Sequence, residues 1–140
     1  NSPDIAMVLI GNESNSVYLT AGRLRRHNKS LIGSMCSQSL EDFRVDKTIL
    51  CIDGISIEDG ITEYNTEEAA ILRKMLQIGR TRMIFSKFSE VAFNKVCSAA
   101  QIDYVFTDWN ISYKEVKAWS DIHVRVLTAD RKYMENKKLE

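Results

Sequence analysis

The sequence predicts an α/β domain built on a layered, mostly parallel sheet. Three observations carry that prediction. Segments of helical and strand character alternate with short links through 140 residues, a length that suits one domain and one core. The run ILCI at 49–52 is apolar on successive residues, which predicts a strand covered on both faces. Behind it comes a well-marked helix. Asn65 and Glu68 stand at capping-box spacing, with Thr66 as an alternative cap, and Ala69, Ile71, Leu72, Met75 and Leu76 recur on one helical face.

Each element can be justified in turn. Ser2, Pro3 and Asp4 ahead of IAMVLI open a short helix with a cap, a first-turn proline and an acid at the positive end of the dipole, and Gly11 ends it. Residues 16–20, SVYLT, have strand composition, and Ala21-Gly22 turns the chain. A basic loop leads through Gly33 and Ser34 into a second helix over 34–43, with Ser34 able to cap it. Residues 46–52 form the strand that contains ILCI. The Asn65 helix closes at Gly79, a natural C′ residue, with Arg73, Lys74 and Arg80 suited to the negative end of its dipole. Further strands are predicted at 81–85, 92–96, 102–107 and 123–127. A helix over 112–120 is capped by Ser112, with Val116 and Trp119 inward. The charged tail from Arg131 reads as fraying or a surface helix, and Leu139-Glu140 resembles an expression scar.

Composition excludes several function classes. Lys+Arg and Asp+Glu both number 19, so the net charge is zero and no spare field exists for autonomous nucleic-acid binding. No apolar run approaches the roughly 18 residues of a membrane span, and no signal-peptide pattern precedes the first helix. Three widely spaced cysteines, Cys36, Cys51 and Cys97, predict reduced thiols in a cytosolic protein, with Cys51 a small core residue. No P-loop, G-x-G-x-x-G or G-x-S-x-G is present, and an EF-hand reading of 53–68 fails because Ile55 and Ile57 fall where oxygen ligands are needed. His27 and His123 lie far apart without metal-ligand spacing, so neither a metal nor a cofactor is expected. The opening Asn-Ser-Pro, without Met, reads as an excised piece.

The chemistry gathers in a few places. Arg23, Arg25, Arg26, His27 and Lys29 make either a solvated loop or a cluster that meets an anion such as phosphate. Asp53-Gly54 is either a tight hairpin turn or a carboxylate at the carboxyl end of a core strand, where open α/β sheets bind ligands. On the second reading Gly60 and Thr62 form a loop into the Asn65 helix, whose N-terminus offers free N–H groups to an anion. Lys87 follows another strand; it is either solvated or on the same sheet edge. An arginine loop, an Asp-Gly, a helix N-terminus and a lysine together suit a sugar phosphate.

These residues also carry a resemblance. The string VYLTAGRLRRHNKSLIGSMCSQSLEDFRVDKTILCIDGISIEDGITEYNTEEAAILRKML, with Ser86-Lys87-Phe88, Ile102-Asp103 and Phe106-Thr107-Asp108 after it, resembles the effector-binding domain of DeoR-family bacterial transcription regulators. The likeness runs from Asn1 to about Ala129. It implies a three-layer α/β/α sandwich, similar in fold to ribose-5-phosphate isomerase, glucosamine-phosphate isomerase and CoA transferases. It also implies an effector that is a phosphorylated sugar or related metabolite, a homo-oligomer, and an N-terminal winged helix-turn-helix that touches DNA in place of this segment. On this reading residues 1–130 are a sensor domain lacking its first strands, and 131–140 are a tail. Arg25 and Lys87 would face the phosphate, Asp53 and Thr62 the sugar hydroxyls, and Arg23 belongs to the same effector-binding set. Gly22, Gly33, Ser34, Gly54 and Gly60 would permit close backbone approach. The chain departs from the family pattern at Ile84, where an Asp is usual, and at Ala21, in place of a glycine. An isomerase using Asp53 as base, and an oligomerisation scaffold with a degenerate pocket, are the competing readings.

Overall fold

The computed structural model describes residues 1–86 and 91–129. Lys87 and the charged tail therefore lie outside the described residues. Among the described residues there are four α-helices, α1 (Pro3–Leu9), α2 (Ser34–Ser39), α3 (Thr66–Ile78) and α4 (Tyr113–Asp121), and a short 3-10 turn at Ala99–Gln101. The same residues form nine strands: β1 (Arg23–Leu24), β2 (Leu31–Ile32), β3 (Val45–Cys51), β4 (Gly54–Ser56), β5 (Gly60–Glu63), β6 (Gly79–Phe85), β7 (Asn94–Cys97), β8 (Tyr104–Thr107) and β9 (Arg125–Thr128).

The centre is a four-stranded parallel sheet in the order β3-β6-β8-β9. Leu50, Ile84 and Val105 lie side by side across it. Leu72 and Leu76 from α3 and Trp119 from α4 close over that row in one core cluster. Burying a side chain of this size stabilises the fold by about 1.5–3 kcal/mol. A three-stranded antiparallel sheet, β4-β5-β7, contributes Ile55, Ile61 and Val96 to the same cluster. The β1-β2 hairpin and α2 pack on the other flank of α3 through Leu31, Cys36 and Ile71. The result is an α/β sandwich flanked by helices.

Local signals decided the helix starts. Ser2 accepts from the Ile5 N–H at 3.4 Å, and Asn65 Oδ1 accepts from the Glu68 N–H at 2.9 Å. Ser112 and Glu115 form a reciprocal capping box. Only half of the expected box forms at Asn65, because the Glu68 side chain is engaged elsewhere. At α2 the N-cap is Gly33, with Ser34 as first helical residue, and the helix stops at Ser39, short of residue 43.

Other expectations are corrected by neighbours that a local reading does not see. Residues 16–20 form no strand: their β-rich composition meets no ladder partner among the described residues, and Tyr18 and Leu19 are exposed. β3 alternates, with Thr48 and Leu50 buried but Ile49 and Cys51 exposed, so Cys51 is a surface thiol and one face of ILCI is open. Gly79 is extended (φ −82°) and begins β6 directly; a Cβ there would lie 2.5 Å from Thr48 Oγ1. β7 and β8 begin two residues later than predicted, and His123 sits at φ 65° just before β9.

Candidate functional site

Several of the candidate side chains collect around the N-terminus of α3. Asp53-Gly54 is not a hairpin turn. Gly54 begins β4, whose turn into β5 lies at residues 57–59, and Gly54 pairs with Thr62. Asp53 thus stands just beyond the carboxyl end of β3, where the chain crosses from the parallel sheet to the small one. Its Oδ2 accepts from the Tyr64 N–H at 3.1 Å, which ties it to the segment leading into α3.

The basic loop arrives at the same place. Arg23 Nη2 pairs with Glu67 Oε2 at 2.5 Å, with both side chains substantially exposed. Arg25 Nη1 pairs with Glu68 Oε2, and this pair is largely buried. Asn28 Nδ2 and the Ser30 hydroxyl donate to the other Glu68 oxygen. Gly33 adjoins Glu67, since a Cβ built there would stand 3.7 Å from Glu67 Oε1. The α3 N-terminus therefore does attract the arginine loop, through two carboxylates of its own first turn.

Glu63 is the residue that sequence reasoning missed. It ends β5, is only 3% exposed, and its Oε1 accepts from the Asn65 N–H at 3.0 Å. Burial, then a hydrogen bond with the Asp53 carboxyl, and then the charges of Asp53 and Glu68, push its pKa up to about 7. A carboxyl of that kind can donate a hydrogen bond at neutral pH as well as accept one. No pattern in GITEYN marks it, because its burial arises only in the assembled fold, where Glu63 pairs with Asn94 of β7.

Of the other residues expected at the site, some do different work. Gly22 (φ 120°) allows backbone contact with Ile32, whose carbonyl oxygen would stand 2.6 Å from a Cβ. Gly60 (φ 78°) lies against β7, where a Cβ would meet the Cys97 carbonyl oxygen at 2.1 Å. Thr62 is buried, and its Oγ1 accepts from the Ala92 N–H at 2.9 Å. These three serve internal packing. Ile84, standing where an acid was noted as usual, is fully buried between Leu50 and Val105 and brings no polar group to the site. Arg23, Arg25, Gly33 and Asp53 each approach residues 64–68, Gly54 pairs with Thr62, and Ser34 is the first residue of α2.

Among the described residues no cluster of His, Cys, Asp and Glu could hold a metal ion. Nor is any helix among them long and apolar enough to cross a membrane.

Comparison of the sequence with known proteins finds transcription regulators. The sequence profile of the DeoR C terminal sensor domain fits residues 1–109. A putative aga operon transcriptional repressor of Escherichia coli O157:H7 is 27% identical over 91% of this chain and 48% of its own length. The HTH-type transcriptional repressor GlcR of Bacillus subtilis is 32% identical over 77% of this chain and 43% of its own. The glycerol-3-phosphate regulon repressor of Escherichia coli K12 is 26% identical over 90% and 51%. The chain spans about half the length of the curated relatives it matches. With its profile match over 109 of 140 residues and repressors as its relatives, the chain belongs to the DeoR family, as a C-terminal sensor domain.

Proposed function

We propose that this domain senses a phosphorylated sugar or sugar-like metabolite and adjusts the operator affinity of an N-terminal winged helix-turn-helix in the full-length regulator. The observation that carries this reading is the convergence of Arg23 and Arg25 on the α3 N-terminus, beside Asp53 at the carboxyl end of β3. Guanidinium groups and helix N–H groups suit a phosphate, and carboxyls such as Asp53 and Glu63 suit the hydroxyls of a polyol. The name of one relative, a glycerol-3-phosphate regulon repressor, points to the same chemical class.

Regulation would follow from linkage. The metabolite favours one arrangement of a homo-oligomer, operator DNA favours another, and each ligand lowers the affinity for the other by the same factor. A thermal-shift screen of the full-length protein tests the ligand class. Sugar phosphates should raise the melting temperature where the matching free sugars do not. No stabilisation by any phosphorylated sugar or polyol would overturn the reading.

One observation favours a second reading. Glu63 has the near-neutral pKa that a proton-transfer carboxyl needs, as an isomerase would require. Exchange of substrate carbon-bound protons into deuterated water would reveal it. The regulator reading predicts none, since its carboxyls hold hydroxyls and abstract nothing.

A further inference from the structure

Each guanidinium that reaches the α3 N-terminus is already held by a carboxylate. Arg25 is the less available of the two. Its partner Glu68 is buried and also accepts from the Asn28 amide and the Ser30 hydroxyl, so parting them would leave a buried charge behind. Arg23 and Glu67 pair at 2.5 Å with both side chains substantially exposed, and such a pair parts at little cost. Gly33, at φ 97°, presents bare backbone to Glu67, so no side chain of its own confines that carboxylate.

The same turn of helix has donors to spare. Asn65 Oδ1 takes the Glu68 N–H, but the Thr66 and Glu67 N–H groups meet no acceptor among the described residues. A ligand anion drawn to Arg23 and these groups finds the Glu67 carboxylate bound to the guanidinium first.

We propose that Glu67 is the specificity-determining residue of this site, an internal competitor that a ligand anion must displace from Arg23. The inference rests on the sensor reading above and says which ligands that sensor rewards. A carboxylate ligand exchanges one monoanion for another at Arg23 and gains nothing over its uncharged analogue. A phosphate monoester carries about −1.5 to −2 charges at pH 7 and three acceptor oxygens. It takes Arg23 with the stronger charge and reaches the open N–H groups with the remaining oxygens. A neutral polyol leaves the Arg23–Glu67 pair in place. The site thus ranks a phosphorylated polyol above the free polyol, and places the corresponding acid level with the free polyol.

Calorimetric titration of the full-length protein tests this with glycerol 3-phosphate, glycerate, glycerol and inorganic phosphate as probes. Glu67→Gln removes the competing charge from an exposed pair and keeps the shape. It should tighten glycerol 3-phosphate and inorganic phosphate by roughly 10-fold, raise glycerate above glycerol, and leave glycerol unchanged. In an Arg23→Ala background the same substitution should lose most of that gain, because nothing remains to be released. Phosphate affinity unchanged by Glu67→Gln, or a gain that persists in full without Arg23, would overturn the role of Glu67 and leave the sensor reading standing. Failure of both phosphates to bind the parent and every variant would overturn the sensor reading, and this inference with it.

Discussion

Arg25 and Glu68 form the most buried ion pair among the described residues, with side-chain exposures of 23% and 9%, and join the basic loop to α3 across 43 positions of sequence. Arg23 and Glu67 repeat the contact on the surface, at 65% and 47%. The two pairs look alike in sequence and differ in energetic role. Removing Glu68 leaves the Arg25 charge and the Asn28 amide without this acceptor, while the Ser30 hydroxyl keeps Asn28 Oδ1 at 2.8 Å.

Glu68→Ala should therefore destabilise the domain by about 3 kcal/mol, as expected when one partner of a buried pair is lost. Glu67→Ala should cost less than about 1 kcal/mol, the usual scale of an exposed pair. Urea unfolding of both variants checks the contrast. Equal losses would mean that the buried hydrogen bonds to Glu68 contribute nothing beyond the surface contact.

Arg23 is the guanidinium with the freedom to exchange partners. Arg23→Ala should leave stability within about 0.5 kcal/mol of the parent and weaken phosphorylated ligands by roughly 10-fold, the scale of one charge-assisted contact. Calorimetric titration with a ligand found in the thermal-shift screen separates the two effects. Arg25→Ala should lose both stability and affinity.

Glu63 gives the fold a pH dependence of definite sign. Its pKa rises from 4.5 to about 7 on folding, so between those values the folded state holds a proton that the unfolded chain has released. Its contribution is complete below pH 4.5 and is lost as pH rises through about 7. Relative to Glu63→Gln, the parent should lose about 1–3 kcal/mol of stability between pH 5 and pH 8. Parallel denaturation series at those two pH values measure the difference, and a constant gap would show that Glu63 titrates normally.

Trp119 closes the covered face of the sheet at 1% exposure. Trp119→Ala should cost about 3–5 kcal/mol by cavity formation. Tyr113→Ala, on the same helix but 83% exposed, should be near neutral. Melting temperatures of the two variants suffice.

What could be read in advance follows from the range of the forces involved. Caps at Ser2, Asn65 and Ser112 act within one helical turn, and their letters marked three helix starts. The strands that carry Leu50, Ile84 and Val105 were legible because their apolar content is local. Cys51 and Ile49 were misplaced because exposure on a strand depends on whether a second layer exists. Residues 16–20 failed as a strand for a related reason: a ladder needs a partner, and composition cannot supply one. At the site, the arginine loop and Asp53 were visible as charged residues beside glycines. The carboxylates that organise them were not, since Glu63 and Glu68 acquire their roles only when β7 and the β1-β2 hairpin close around α3.

The most direct test measures operator affinity of the full-length protein with and without the stabilising sugar phosphate, in the parent and in an Arg23→Ala, Asp53→Ala double variant. The account predicts that the ligand shifts operator affinity of the parent by about 5- to 150-fold. In the double variant the shift should disappear while ligand-free operator binding stays intact. An undiminished ligand response in that variant would contradict a sensor site at the α3 N-terminus.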